Sequence, residues 1–466
     1  MAGPNQSIWA NPRAPVRDDD QGSFERRRGW KYRSLRIGPI KLPYYASPES
    51  QLILVSFVCF LCPGMFNAVN GIGAAGLDDD AHASNAANTT LYATFAVVGF
   101  FAGTITNVLG IRIALSFGGL GYCIYVSALL CFNKTQNLGY VVFSGFLLGC
   151  CAGVLCEKMK GRYISWFWII FNMGVQLALN FNTRDGTTAA VTDGTYIGFI
   201  VLTFFGACLS WTLIDAKHVI RRDGSRIIMM KNPTWQSEIF GLWETLSTDP
   251  YIILLFPMFF ASNWFYTYQF NDVNYARFNV RTRALNNTLY WISQIFGAAV
   301  FGFALDFPNI RRTTRAKIAW VVMFSLTFAV WGGGYVFQRH GYGGPMVLYM
   351  SYGFYDAAWQ TCVYWFMGAI SNNSRKLANF AGFYKGIQSA GAAVVFRIDG
   401  YKRPYMDIFL STWVLLAGSL VIALPVMLLK IKDTVPLEED LRFTDETIED
   451  VLGRREGYLL DEPEKA

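Results

Sequence analysis

Apolar stretches long enough to cross a lipid bilayer recur along this chain and constrain its fold more than any other feature. A hydrocarbon core of about 30 Å needs about 20 helical residues. Only 16% of the residues are charged and 53% are hydrophobic, whereas soluble domains carry about a quarter charged residues. The sequence therefore predicts an all-α membrane protein in a lipid bilayer, with twelve spans at 51–76, 90–109, 112–132, 138–156, 163–179, 195–214, 251–270, 288–305, 316–337, 345–370, 378–396 and 407–429.

Lysines and arginines gather on one predicted side of the membrane. With the N-terminus cytoplasmic, the cytoplasmic segments hold 30 of them and the opposite segments hold 9, with Lys385 left over inside a span. Because positive residues mark cytoplasmic loops, we expect an N-terminal tail (1–50), a central loop (215–250) and an acidic tail (430–466) in the cytoplasm. Which membrane holds the protein stays open. The basic residues that give the net charge of +7 lie at the ends of the predicted spans. Nucleic acid is therefore not an expected partner.

Glycosylation sequons agree in part with this orientation. Asn88, Asn133 and Asn286 fall on the predicted non-cytoplasmic side and are candidate glycan sites, whereas Asn372 falls on the cytoplasmic side and should carry no glycan.

The central loop divides the chain into two predicted six-helix halves, 51–214 and 251–429. Its segment NPTWQSEIFGLWETL offers Asn232 as a helix cap and Pro233 as a first helical residue. Apolar residues recur at helical spacing, which predicts a short amphipathic helix on the cytoplasmic membrane surface. The stripe consists of Trp235, Ile239, Leu242, Trp243 and Leu246.

Residues for cofactor, metal or covalent chemistry are poorly placed. The nine cysteines lie in or beside apolar runs, and the three histidines fall in separate predicted loops. The GIGAAG stretch at 71–76 has the glycine spacing of a dinucleotide-binding turn, but it ends a long apolar helix with no βαβ unit. We read its glycines as points of close helix approach. No cofactor, metal site or enzyme activity is expected.

A similar turn follows the second and the eighth predicted spans, as a duplicated transporter would show. The first copy is GTITNVLGIR and the second is GFALDFPNIRR. The pattern resembles the signature turn of the major facilitator superfamily, although the first copy has an asparagine in place of the acid. Plain cytoplasmic turns obeying the charge rule are the alternative. The candidate gating residues are Gly103, Asn107, Gly110 and Arg112, then Gly302, Asp306, Arg311 and Arg312.

Four further stretches resemble the uncoordinated-93-like branch of that superfamily as it occurs in fungi. They are KGRYISWFWIIFNMG (160–174), DGTYIGFIVL (193–202), YGFYDAAWQTCVYWFMGAISN (352–372) and FAGFYKGIQSAGA (380–392). The resemblance implies twelve helices around a central cavity, with the fourth and fifth spans shortened relative to the family. It also implies that Asp306 contacts the start of the fifth helix, near Lys160 and Arg162.

Polar residues inside the predicted spans are the candidate cavity residues. For the amides, ordinary hydrogen bonding between helices, worth about 0.6 kcal/mol each, is the alternative. Ionisable groups in a span usually face a cavity or a partner, which favours a functional role for Asp356 and Lys385. The candidates are Asn67, Asn70, Asn172, Asn263, Asp356, Gln360, Tyr364, Lys385 and Gln388.

Depth argues against a direct bridge between the two ionisable candidates. Counted from the turn near Ser374, Asp356 and Lys385 differ by seven helical residues, roughly 10 Å along the membrane normal. We therefore expect Lys385 to join Tyr364 and Gln388, with Gln360 at the edge of reach. A lysine that merely extends to cytoplasmic water is the alternative.

These features predict a carrier that moves a small solute or ion by alternating access. The alternative is a non-transporting membrane protein that regulates or escorts another membrane protein. A carrier should need its cavity residues, whereas an escort should depend on its lipid-facing surface.

Overall fold

A computed structural model describes the chain as almost wholly helical. The described residues are 29–32, 36–37, 40–41, 43–77, 81–101, 105, 109–155, 191–214, 235–340, 344–371 and 374–433. The α-helices are α1 (Pro48–Cys59), α2 (Met65–Gly71), α3 (His82–Val98), α4 (Ile111–Thr135), α5 (Leu138–Leu155), α6 (Asp193–Leu209), α7 (Trp235–Thr248), α8 (Phe256–Ala261), α9 (Phe265–Thr267), α10 (Val280–Leu305), α11 (Arg312–His340), α12 (Pro345–Ile370), α13 (Ser374–Asp399) and α14 (Tyr405–Pro425).

The chain forms two compact units. The smaller unit draws on Met1–Leu52 and Ile214–Met229. Its described part contains a two-residue antiparallel ladder, β1 (Arg36–Ile37) with β2 (Ile40–Lys41). Ala46 and Ile214 form its small apolar core, and the Ile214 amide donates to Gln51 Oε1 at 2.8 Å. The larger unit draws on Ile53–Leu213 and Met230–Ala466 and contains the remaining helices.

Helical segments coincide with every predicted span except the fifth, which lies outside the described residues. Six segments in the described part of the chain are long and apolar enough to cross a membrane: Pro48–Gly71, Arg112–Thr135, Asp193–Thr212, Val280–Leu305, Arg312–His340 and Tyr405–Lys430. A shorter apolar helix, Leu138–Ala152, covers most of the fourth predicted span. The described part therefore confirms an all-helical membrane fold, and a total of twelve spans stays a prediction.

The first and the seventh predicted spans are irregular. Pro63 cannot donate a backbone hydrogen bond, and the chain around it widens into a π-helical turn at Phe60–Gly64. The seventh span is broken into a 3₁₀ turn (Pro250–Leu255), α8, α9 and a π-helical stretch (Tyr268–Tyr275). π-Helical turns recur at functional sites, and this stretch supplies several polar side chains to the interior.

The amphipathic helix of the central loop is present as α7. Ile239, Phe240 and Trp243 expose 40%, 73% and 73% of their surface, while Leu246 packs against the apolar core. The helix thus has a large outward apolar face, and Phe240 belongs to it although the predicted stripe omitted it. A bilayer surface would cover such a face.

A buried ion pair follows α7 directly. Asp249 pairs with Lys376 at the start of α13, and both side chains expose 2% of their surface. Lys430, just after α14, approaches the second oxygen of Asp249 at 2.6 Å. We call these three residues the Asp249 anchor. It ties together the beginning of the seventh span, the beginning of α13 and the end of the last span.

The turn between α10 and α11 is held by its arginines. Arg312 donates to the Gly368 carbonyl, and Arg315 donates to the Leu305 carbonyl. The backbone amide and the hydroxyl of Thr313 each donate to Asp433 Oδ1 at 2.9 Å. These hydrogen bonds hold the pKa of Asp433 below its usual value. The C-terminal end of the described chain thereby caps the start of α11.

Candidate transport site

A carboxylate surrounded by neutral donors lies in the middle of α12. Asp356 has no exposed surface. Its Oδ2 accepts from Tyr266 at 3.0 Å, Tyr290 at 3.0 Å and Gln294 at 2.7 Å. Its Oδ1 accepts from Gln360, one turn along α12, at 2.8 Å. We call these five residues the Asp356 network, and they join α9, α10 and α12.

The network extends one step farther, into the π-helical stretch. The Tyr290 hydroxyl lies 3.0 Å from Gln269 Oε1 as well as 3.0 Å from Asp356. Gln269 is fully buried. Tyr290 and Gln294 occupy i and i+4 on α10 and therefore point to the same side. Two consecutive turns of α10 thus face Asp356.

The second polar group surrounds Lys385 on α13. Its ammonium donates to Gln388 Oε1 at 2.9 Å and lies 5.8 Å and 5.2 Å from the ring centroids of Tyr364 and Tyr384. Gln388 also donates to Asn263 Oδ1 at 2.8 Å. We call these five residues the Lys385 cluster. Cation–π contacts and an amide oxygen offset part of the cost of an ammonium at this depth.

The structure separates the two ionisable candidates as the depth argument predicts. The described partners of Asp356 are all neutral, and Lys385 lies with Tyr364 and Gln388. Gln360 turns instead to Asp356 and Tyr266. What these residues do in the protein stays a prediction.

The amino-terminal candidates form a smaller group. Asn70 Nδ2 donates to the Phe66 carbonyl at 3.2 Å, and its Oδ1 accepts from Asn88 at 3.1 Å. Asn88 Oδ1 in turn accepts from Tyr125 at 3.4 Å. Asn67 is partly exposed on the same helix.

Two of the candidate glycan sites are buried in this fold. Asn88 and Asn286 expose 2% and 1% of their surface inside α3 and α10. Asn286 Nδ2 also donates to Asn274 at 3.1 Å. A sequon is a local pattern, whereas burial depends on distant packing, and glycosylation at these two residues stays a prediction that their burial disfavours. Asn133, near the end of α4, is partly exposed and stays a candidate.

Polar side chains join the two predicted halves, 51–214 and 251–429, at one end of the helices. Asp399, the last residue of α13, accepts from Asn85 at 2.8 Å and from Asn271 at 2.9 Å. Among the described residues, five hydrogen bonds cross between the predicted halves here: Asn85 with Asp399, Asn271 with Asn85, the Ala74 amide with Asn271, Asn274 with the Gly71 carbonyl, and Asn287 with the Ala68 carbonyl. We call this set the latch.

Glycines of the GIGAAG stretch permit the close approach at the latch. A Cβ on Gly71 would collide with the Asn287 side chain, and one on Gly73 would collide with the Phe270 carbonyl. Gly73 also has φ +84°, which side-chain-bearing residues rarely adopt. Close approach, the role predicted for these glycines, is confirmed, and it occurs between the halves.

The gating candidates are only partly within the described residues. Gly103, Asn107, Asn172, Lys160 and Arg162 lie outside them. Gly110 precedes α4 with φ +78°, and Arg112 follows in the first turn. Gly302 has open space around it. Asp306 at the end of α10 and Arg311 in the turn that follows are both exposed. The contact of Asp306 with the fifth helix stays a prediction.

The sequence pointed to Asp356 but not to most of its partners or to the latch. Tyr266 and Tyr290 are ordinary tyrosines of apolar spans, and nothing local marks their hydroxyls as donors. Asn85, Asn271 and Asp399 lie at or beyond span ends, where polar residues are common. The available signal was that all three lie close to predicted non-cytoplasmic ends of spans.

Comparisons with known proteins agree with this architecture. No family model matches the chain. An UNC93-like protein of Schizosaccharomyces pombe is 44% identical, with 88% of each chain covered. The chain belongs to the UNC93-like family. UNC93-like protein 1 of Arabidopsis thaliana is 37% identical over 85% of this chain and 93% of its own.

Solved structures identify the fold of this UNC93-like chain. The xylose transporter XylE of E. coli aligns with a TM-score of 0.56 and 14% identity, covering 83% of this chain and 97% of its own. The fucose:proton symporter FucP of E. coli aligns with a TM-score of 0.56 and 9% identity, covering 82% and 98%. The UNC93-like chain is thus a multi-pass membrane protein with the fold of major facilitator transporters.

Proposed function

We propose that this UNC93-like protein carries a small solute or ion across its membrane by alternating access. Two six-helix halves, 51–214 and 251–429, would rock about a central site. The latch is the observation that supports this most directly, because its bonds cross between the halves. The Asp356 network and the Lys385 cluster lie mid-helix, and Lys385 is fourteen residues, roughly 21 Å, from Asp399 along α13.

The latch suits a reversible closure. Its groups are mostly neutral amides, and single hydrogen bonds of that kind contribute only about 0.5–1.5 kcal/mol net. Amides that separate on opening can bond to water instead. We propose that the latch end faces away from the cytoplasm and that the structure represents the state closed on that side.

The solute site would lie against the carboxy-terminal half. Gln360, Tyr364 and Lys385 have partly or largely exposed side chains, while the groups that position them are buried. Tyr92 of the amino-terminal half stacks on Phe396 at 5.6 Å and interacts electrostatically with Tyr266, which brings an aromatic side chain of that half toward the Asp356 network. Amides, phenols and one ammonium there can bind a polar solute.

The opening of the latch tests alternating access. Ala83, on α3 beside the latch, has no exposed surface, so a cysteine there (Ala83→Cys) is protected while the latch is closed. The partly exposed native cysteines would be serine in this background. We expect an impermeant maleimide to label Ala83→Cys in liposomes slowly and completely, and Thr135→Cys, which is exposed, at once.

Disulfide locking supplies the second arm of the test. In Asn85→Cys/Asp399→Cys, oxidation should abolish labelling at position 83 and block uptake of any solute that the unlocked protein moves; reduction should restore both. Complete protection of position 83 without the lock would contradict the proposal. It would favour the alternative, a protein that escorts or regulates a membrane partner without opening.

A further inference from the structure

The Tyr290 hydroxyl lies between two acceptors. Its oxygen is 3.0 Å from Asp356 Oδ2 and 3.0 Å from Gln269 Oε1. A phenol has one hydrogen to donate, so with Asp356 ionised only one of these contacts is a hydrogen bond. A proton on Asp356 Oδ2 makes both of them hydrogen bonds, because Asp356 then donates to Tyr290 and Tyr290 donates to Gln269.

The described hydrogen-bond donors of Asp356 include no cation. They are two phenols and two amides. The tyrosines Tyr266, Tyr290 and Tyr384 interact with Asp356 electrostatically. A fully buried carboxylate without a cation is costly, and neutralisation removes that cost.

We infer that Asp356 is a proton-binding site, and that an arriving proton turns the Tyr290 hydroxyl from Asp356 to Gln269. The proton comes from water and stays on Asp356; Tyr290 keeps its own hydrogen and only rotates. Tyr266 and Gln360, both partly exposed and 3.2 Å apart, connect the buried carboxyl to the accessible surface.

The hydrogen bond gained on protonation acts on the segment that carries the latch. Gln269 shares the π-helical stretch Tyr268–Tyr275 with Asn271 and Asn274, which bond to the amino-terminal half. If the proposed carrier function holds, the proton is the ion that it couples to its solute. Proton binding itself does not depend on that function.

Infrared difference spectroscopy of the purified protein, titrated with acid, tests the site without any solute. We expect one carbonyl band of a protonated carboxyl that is absent in Asp356→Asn. Gln269→Leu removes the acceptor that receives the Tyr290 hydrogen, so the midpoint of this band should fall by about one pH unit. Gln338→Leu is the matched control, because Gln338 accepts from the Tyr268 hydroxyl at 3.2 Å, outside the network. It should leave the midpoint unchanged.

Two results would overturn the inference. A spectrum that Asp356→Asn leaves unchanged would show that this carboxyl binds no proton. A rise of the midpoint in Gln269→Leu would show that the Gln269 amide donates to Tyr290, which removes the proposed rotation. Either result leaves the labelling test of alternating access standing, so the two proposals fail separately.

Discussion

The latch and the Asp249 anchor lie at opposite ends of the helices and are built from different groups. The latch joins residues of both halves through amides and one carboxylate, whereas the anchor joins elements of the carboxy-terminal half through a buried ion pair. An amide hydrogen bond contributes about 0.5–1.5 kcal/mol net, but removing one partner of a buried ion pair costs about 3–5 kcal/mol. The weaker chemistry lies where the proposed alternating access requires the predicted halves to part, and the stronger lies where it does not.

Breaking the anchor should give the largest effect on stability. Asp249→Asn removes the countercharge of Lys376, whose side chain is only 2% exposed. We expect a loss of about 3–5 kcal/mol, seen as a lower midpoint of thermal unfolding in detergent. Asp249→Asn/Lys376→Met removes both charges and should recover much of this loss. Equal melting of Asp249→Asn and the wild type would mean that the anchor contributes nothing.

Preventing the close approach of Gly71 to Asn287 should favour the open state of the latch more than it lowers the stability of the protein. Gly71 is helical, so Gly71→Ala introduces no backbone strain, and its methyl group meets Asn287 only when the halves are closed. We expect Ala83→Cys to be labelled at least tenfold faster in this background. Gly418→Ala, where a Cβ meets nothing within 4 Å, is the control. Equal labelling rates in the two would show that the latch does not depend on this contact.

Removing the charge from the latch should have a smaller effect of the same kind. Asp399→Asn keeps the shape of the side chain but removes the negative charge from the group to which Asn85 and Asn271 donate. Hydrogen bonds to charged groups contribute about 1.5–3 kcal/mol and neutral ones about 0.5–1.5 kcal/mol. Because the asparagine can still accept neutral hydrogen bonds, only the difference of about 1–1.5 kcal/mol is lost, and we expect labelling of Ala83→Cys to rise roughly tenfold or less. Asp407→Asn, at an exposed aspartate on α14, should change nothing. Slower labelling in Asp399→Asn would contradict the assigned role.

The comparison also shows what a sequence can and cannot predict here. Span positions followed from length and hydropathy, because backbone groups in lipid must bond within their own helix. Asp356 and Lys385 stood out because ionisable groups are rare in spans. The latch could not be predicted, since Asn271 meets Asp399 and Asn85 across 128 and 186 residues. The orientation of Gln269 toward Tyr290 follows from a π-helical register that no local pattern marks.

The smallest expected effect tests whether burial, and not charge pairing as such, sets the strength of the anchor. Lys134 and Asp193 form an ion pair whose side chains are 64% and 43% exposed. Water screens this pair, and holding two mobile side chains together costs entropy, so such pairs contribute about 0–1 kcal/mol. We expect Lys134→Met to leave the thermal midpoint nearly unchanged and raised salt to have little further effect. Asp193 lies in the first turn of α6, where the helix dipole stabilises it without the lysine. A loss in Lys134→Met as large as that in Asp249→Asn would mean that burial does not distinguish the two ion pairs.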